Sequence, residues 1–188
     1  MQPDIQTITV DIALIGGGVA GLWLLNRAVN AGYNAVLFEQ QALGSDQTIA
    51  SQGMIHGGVK YTLSGALSGA SEAIADMPDY WRRCMAGEGD VDLRGTRTLS
   101  DHFYMWSSQS AASRITTFLA SKALRGRVDA LKQAAYPPVF QNPAFKGSLY
   151  KLVDTVIDTA SLLSTLSKPH SDRIFQIDWR QAQLQRQG

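Results

Sequence analysis

The sequence predicts an α/β fold that opens on a doubly wound β-α-β unit. Three observations predict it. A β-branched apolar run, Thr7–Ile15, ends on Gly16-Gly17-Gly18. A helical period follows over Val19–Ala31, and a second short apolar run, Ala35–Glu39, closes the unit within about thirty residues.

Each element has its own justification. Thr7–Ile15 carries the near-continuous apolar character of a buried parallel strand. Leu22, Leu25, Ala28 and Val29 recur at helical spacing, and Gly32 is a fitting C-terminal stop. Gln40–Tyr61 is polar and glycine-rich without a clear period, which predicts mostly loop. Over Leu63–Met85 the residues Leu67, Ala70, Ile74, Met77 and Trp81 trace one helical face, with a bend expected near Pro78. Gly87–Gly95 reads as a turn-rich connection, and Phe103–Trp106 as a strand. Ser113–Leu124 carries a second amphipathic stripe in Ile115, Phe118, Leu119 and Ala123. Tyr136-Pro137-Pro138 through Pro143 predicts extended loop, and Gly147–Ile157 predicts strand. Asp158 or Thr159 is placed to cap a helix reaching Leu166. Phe175, Ile177 and Trp179 alternate within Arg173–Trp179, the signature of a half-buried strand. Gln181–Gln187 reads as a frayed or cut end.

Composition bounds the function classes. The chain has 188 residues, 45% of them hydrophobic and 18% charged, which fits a folded protein and excludes a disordered or collagen-like chain. A net charge of +1 argues against a nucleic-acid platform. The single cysteine, Cys84, cannot form an internal disulfide and fits a reducing, cytoplasmic setting. It sits on an amphipathic stretch and reads as a packed thiol. The apolar run Ile12–Leu25 is too short and too glycine-rich for a membrane span. Acidic flanks at Asp4 and Asp11 do not suit a signal peptide. His56, His102 and His170 are scattered and show no metal-ligand spacing, so no metal is expected. His102 and His170 are read as surface residues.

The chemistry sits in Gly16-x-Gly18-x-x-Gly21. The pattern alone is weak, but here it follows a strand and opens a helix. Gly16 permits the tight turn, Gly18 lets backbone approach a pyrophosphate, and Gly21 allows close helix–strand packing. The free N–H groups of the helix start, with the helix dipole, would hold phosphates, which brings Val19 and Ala20 into the candidate site. Glu39 lies 18 residues past Gly21, at the end of the second strand, where a carboxylate can accept from ribose hydroxyls and repel a 2′-phosphate.

This fingerprint does not separate NAD from FAD. The segment Thr48-Ile-Ala-Ser51-Gln52-Gly53-Met-Ile-His56-Gly57-Gly58-Val-Lys60-Tyr61 resembles the flavin-binding stretch of the D-amino-acid oxidase and glycerol-3-phosphate dehydrogenase superfamily. The resemblance is most specific over residues 9–61 and continues more loosely through 153–163. It implies a Rossmann-like, glutathione-reductase-type FAD-binding fold with part of an α+β substrate domain. It further implies that Gly16, Gly18 and Gly21 line the FAD pyrophosphate and that Glu39 binds the adenosine ribose. Thr48, Ser51, Gln52 and Gly53 would contact the phosphate or ribityl region, and His56, Gly57 and Gly58 would pass near the isoalloxazine ring. Gln40 stands where many relatives carry a basic residue, so the contact at that position is open.

The resemblance also implies a division into 1–62 (FAD-binding β-α-β and flavin loop), 63–150 (substrate-region insertion) and 151–188 (return to the FAD-binding part, apparently truncated). Family members run to several hundred residues, so an N-terminal portion is expected. His56 is the candidate catalytic residue, as proton acceptor or flavin hydrogen-bond partner; the plainer alternative is a histidine that orders its loop. Lys60 and Tyr61 can face an anionic group of the substrate, or serve as a solvated lysine and a packed tyrosine.

The function these readings imply is FAD-dependent removal of a hydride from a small hydroxy acid, phosphorylated polyol, amino acid or amine. The electron acceptor would be oxygen, a quinone or a protein, and a quinone would bring the protein to a membrane surface. Two rivals are an NAD-dependent dehydrogenase and a nucleotide-binding fragment without activity.

Overall fold

The computed structural model describes residues 7–57, 74, 76–108, 128–183 and 185. The predicted helix over Ser113–Leu124, residues 63–73 and 75 of that predicted over Leu63–Met85, and Gly58, Lys60 and Tyr61 lie outside the described residues. The described chain divides into two units, one of 1–52, 83–97 and 159–188, the other of 53–82 and 98–158.

The first unit is built on β1 (Ile12–Ile15), α1 (Val19–Asn30) and β2 (Ala35–Glu39). β1 and β2 pair in parallel, with Ile12 opposite Ala35 and Ile15 opposite Phe38. This is the Rossmann-like β-α-β crossover. The strand starts later than Thr7 because only Ile12–Ile15 has β2 alongside it. α1 buries Leu22, Leu25, Asn26 and Ala28. At its end Gly32 N–H donates to the Val29 carbonyl and Tyr33 N–H to that of Ala28, the paired bonds of a Schellman cap with Gly32 at φ +88°. β9 (Ile174–Gln176) adds in parallel to the outer side of β2, giving the order β1-β2-β9. Only the middle of the predicted Arg173–Trp179 run is strand, although Phe175 and Trp179 both meet Phe38, with ring centroids 5.9 and 6.4 Å away.

The helix expected after Asp158 spans Thr159–Ser167, packs on α1 and buries Leu162, Leu163 and Leu166. The buried Asn26 joins the two, its side-chain amide donating to the carbonyls of Leu22 and Leu166, each at 2.8 Å.

Among the described residues the second unit holds two three-stranded antiparallel sheets. One is ordered β3 (Met54–Ile55), β8 (Thr155–Ile157), β4 (Thr98–Ser100); the other β5 (Phe103–Ser107), β7 (Ser148–Leu152), β6 (Val128–Ala130). The single strand predicted over Gly147–Ile157 is therefore two, which leave for different sheets at Val153-Asp154. The Tyr136–Pro143 segment is not fully extended: a 3₁₀ turn forms over Pro138–Phe140, and another precedes the segment at Gln133–Ala135. A proline in the first turn costs such a turn no hydrogen bond. Phe145 gathers Trp106, Tyr136 and Phe140 around its ring.

Three further points concern local structure. The loop predicted over Gln40–Tyr61 contains a one-turn helix, α2 (Gln47–Ala50), as well as β3. A helix also spans Met77–Ala86, with Pro78 in its first turn and a turn at Asp76 beside the bend expected near Pro78. His102 is not simply a surface residue, since its ring pairs with the Asp101 carboxylate and meets Tyr104 edge-on at 5.0 Å. Among the described residues no helix is long and apolar enough to cross a membrane.

Candidate functional site

The site is built where β1 stops and α1 starts. Gly16 takes φ +100°, a left-handed value that turns the chain sharply off β1. Its N–H donates to the Phe38 carbonyl at 2.8 Å, so the turn begins while still tied to β2. At Gly21 a Cβ would run into the Gly16 carbonyl oxygen and sit 3.3 Å from Leu37 Cδ1. Only hydrogen fits there, and that lets α1 close onto the strands.

Gly18 is the N-cap of α1, with φ −76° and ψ −179°, and has no side chain to cap with. Thr48, 29 positions past Val19, does so instead: its Oγ1 accepts from the Val19 N–H at 3.1 Å. A hydroxyl that accepts there keeps its own proton to donate. Thr48 is held by α2, and its carbonyl accepts from Ser51 Oγ at 2.9 Å.

Glu39 closes the site from β2. Its Oε2 accepts from the Gly17 N–H at 2.6 Å, and its Oε1 from the Gln41 N–H at 2.8 Å. These two backbone bonds, that of Gln41 first, hold the carboxyl below its usual range against a smaller opposing effect of burial. The acid is therefore ionised and fixed beside the glycine turn. Gln40 is exposed.

The structure thus brings Gly16, Gly18, Val19, Gly21, Glu39, Thr48 and Ser51 into the first unit, together with Ala20 and Gln52, which are both exposed. Gly53, His56 and Gly57 belong to the second unit. The Gly53 carbonyl accepts from Ile157 N–H at 2.9 Å, His56 is exposed just after β3, and Gly57 is buried.

Three contributors escape sequence reasoning. Gly17 is buried, and a Cβ on it would collide with Leu43 and stand 3.2 Å from Glu39 Cβ. Gly44 donates its N–H to the Gly17 carbonyl at 2.9 Å. Leu163, from the Thr159–Ser167 helix, backs Gly44. A third consecutive glycine, beyond the two that the motif uses, was the one available signal. Among the described residues no cluster of His, Cys, Asp or Glu could hold a metal ion.

Residues 11–169 match the DAO family, FAD dependent oxidoreductase. The chain is 48% identical over 169 residues to the probable FAD-dependent oxidoreductase PA4991 of Pseudomonas aeruginosa, covering 90% of this chain and 43% of that protein. The crystal structure of that protein aligns with a TM-score of 0.67 at 38% identity, over 90% of this chain and 39% of that one. Glycine oxidase from Geobacillus kaustophilus aligns with a TM-score of 0.65 at 17% identity, over 90% of this chain and 47% of the other. The FAD-bound L-α-glycerophosphate oxidase of Mycoplasma pneumoniae gives 0.63 at 14%, over 91% and 45%. At those two identities the likeness is one of fold. The chain spans less than half the length of each of these proteins.

Proposed function

From the premise that the chain belongs to the DAO family of FAD-dependent oxidoreductases, we propose that its first unit binds the ADP half of FAD. The protein would serve in oxidation of a small amino acid, amine, hydroxy acid or phosphorylated polyol. The observation that carries the reading is the Gly17 N–H to Glu39 bond, which sets an ionised carboxylate against the turn that opens α1.

The residues present fit the cofactor. The turn has hydrogen where a Cβ at Gly21 would strike backbone, and α1 points its N-terminus at the turn. In this reading the α1 N-terminus and the Thr48 hydroxyl hold the pyrophosphate, and Glu39 accepts from the adenosine ribose hydroxyls. When bound, FAD supplies the acceptor for a hydride from a substrate C–H next to nitrogen or oxygen. His56 takes the substrate proton or positions the ring, with Gly57 and Gly58 giving backbone close approach. Lys60 and Tyr61 meet an anionic group of the substrate. Oxygen, a quinone or a protein accepts the electrons. Residues 53–82 and 98–158 would contribute the α+β substrate region, and 159–188 the return to the cofactor-binding part. The buried single thiol, Cys84, supports a cytoplasmic setting.

The test is the absorption spectrum of the purified protein, followed by anaerobic addition of candidate substrates. A flavin band that bleaches with an amino acid, hydroxy acid or glycerol phosphate is the expected result. A colourless protein that binds NADH would replace this reading with an NAD-dependent one. A flavin band that none of these compounds bleaches would favour binding without turnover.

A further inference from the structure

We propose that Gly44 is a positioning residue for the dinucleotide cradle. Gly44 lies against Leu163, and its N–H clasps the Gly17 carbonyl and sets the direction in which the Gly18 N–H points. The inference rests on the FAD reading above and extends it to a residue outside the glycine motif.

Gly16-Gly17-Gly18 is the freest kind of tripeptide, because glycine populates both signs of φ about equally. Left alone, its peptide planes would flip, and a flipped plane would show a carbonyl rather than an N–H to a phosphate. Two bonds prevent this. The Gly17 N–H is held by Glu39 Oε2 at 2.6 Å, which fixes the Gly16–Gly17 plane. The Gly17 carbonyl is held by the Gly44 N–H at 2.9 Å, which fixes the Gly17–Gly18 plane. In a planar trans peptide the C=O and the next N–H point in opposite directions. With the Gly17 carbonyl turned to Gly44, the Gly18 N–H is turned away from the 40–46 loop, presented as a donor at the start of α1.

Gly44 can make this bond because it is glycine. Its φ is +65°, and an added Cβ would run into Leu163 Cδ1, with Leu163 Cδ2 at 2.9 Å. Leu163 is itself nearly buried on the Thr159–Ser167 helix, so the wall behind the loop is part of the core. A side chain at 44 would be strained at that φ and would press on Leu163, lengthening the clasp.

The experiment measures FAD and ADP binding to the full chain by calorimetry. It compares wild type, Gly44→Ala, Gly44→Ala/Leu163→Ala and a stability control, Leu166→Ala, with the Tm of each. Gly44→Ala is expected to weaken both ligands about tenfold by loss of preorganisation. The double variant is expected to recover only the part of that affinity lost to the Leu163 collision, despite a lower Tm, because the new methyl gains room while the strain at φ +65° remains. Leu166→Ala is expected to lower Tm and leave affinity unchanged. In the ligand-free wild type the Gly44 amide should be protected from hydrogen exchange, as a clasped donor must be. Wild-type affinity in Gly44→Ala, an unprotected Gly44 amide, or affinities that simply follow Tm across the series would overturn the clasp. A wild type that binds neither FAD nor ADP would remove the nucleotide reading itself.

Discussion

At the scale of single residues, the cradle depends on backbone N–H groups aimed by side chains elsewhere. Gly18 has an extended backbone that any residue can adopt, so Gly18→Val should fold and stay soluble. Its Cβ would stand 3.3 Å from Thr48 Oγ1 and its methyls would fill the phosphate approach, so FAD binding should be lost. Unchanged flavin content would sink the cradle assignment. Glu39 makes a separate prediction. Its folded-state pKa is lowered, so its contribution to stability is complete above the usual carboxylate range and is lost as pH falls through the lowered value. The difference in urea midpoint between the chain and Glu39→Gln should be constant above about pH 5.5 and shrink below it. Asp92, held at about 2 by its bond to Arg94, titrates in the same acid window but cancels in that difference. A pH-independent difference would place the Glu39 bonds elsewhere than in the folded state. His56 is exposed and immediately follows β3; His56→Ala should keep flavin and lose rate, and normal turnover would leave it a structural role.

At the scale of elements, α1 and the Thr159–Ser167 helix share one interface, and Asn26 is its polar tie. Its amide donates to the carbonyls of Leu22 and Leu166 in a place where neither can reach water easily. Asn26→Ala should cost about 2 kcal/mol, because a buried carbonyl loses its partner along with the bond. Urea unfolding of the chain measures this, and a change below about 0.5 kcal/mol would mean that water replaces the amide. The same interface carries Leu163, which backs the loop behind the glycine turn. Packing of Leu163 alone, from a helix distant in sequence, thereby bears on the geometry of the cradle.

At the scale of the whole chain, binding of the ADP half should be local to the first unit. FAD should increase exchange protection across the segments from β1 to α2 and at β9, since these form the cradle and its sheet. Protection confined to 98–158 would relocate the binding site. The β1-turn-α1-β2 order was legible from the sequence because its causes are short-range: an apolar run, three glycines, a 3.6 period, Gly32, and an acid ending the second strand. The resemblance carried by Thr48–Tyr61 added the flavin reading for the same reason, since it is a contiguous motif. Tertiary structure alone decided which segment lies beside β2. Ile174–Gln176 sits about 135 residues downstream, and a short alternating run carries no record of its partner. It also decided that Gly147–Ile157 divides between two sheets, that Gly17 answers to Leu43 and Glu39, and that Gly44 answers to Leu163. Period and propensity describe a residue's neighbours along the chain. These features depend on neighbours across space, which form only when the chain closes on itself.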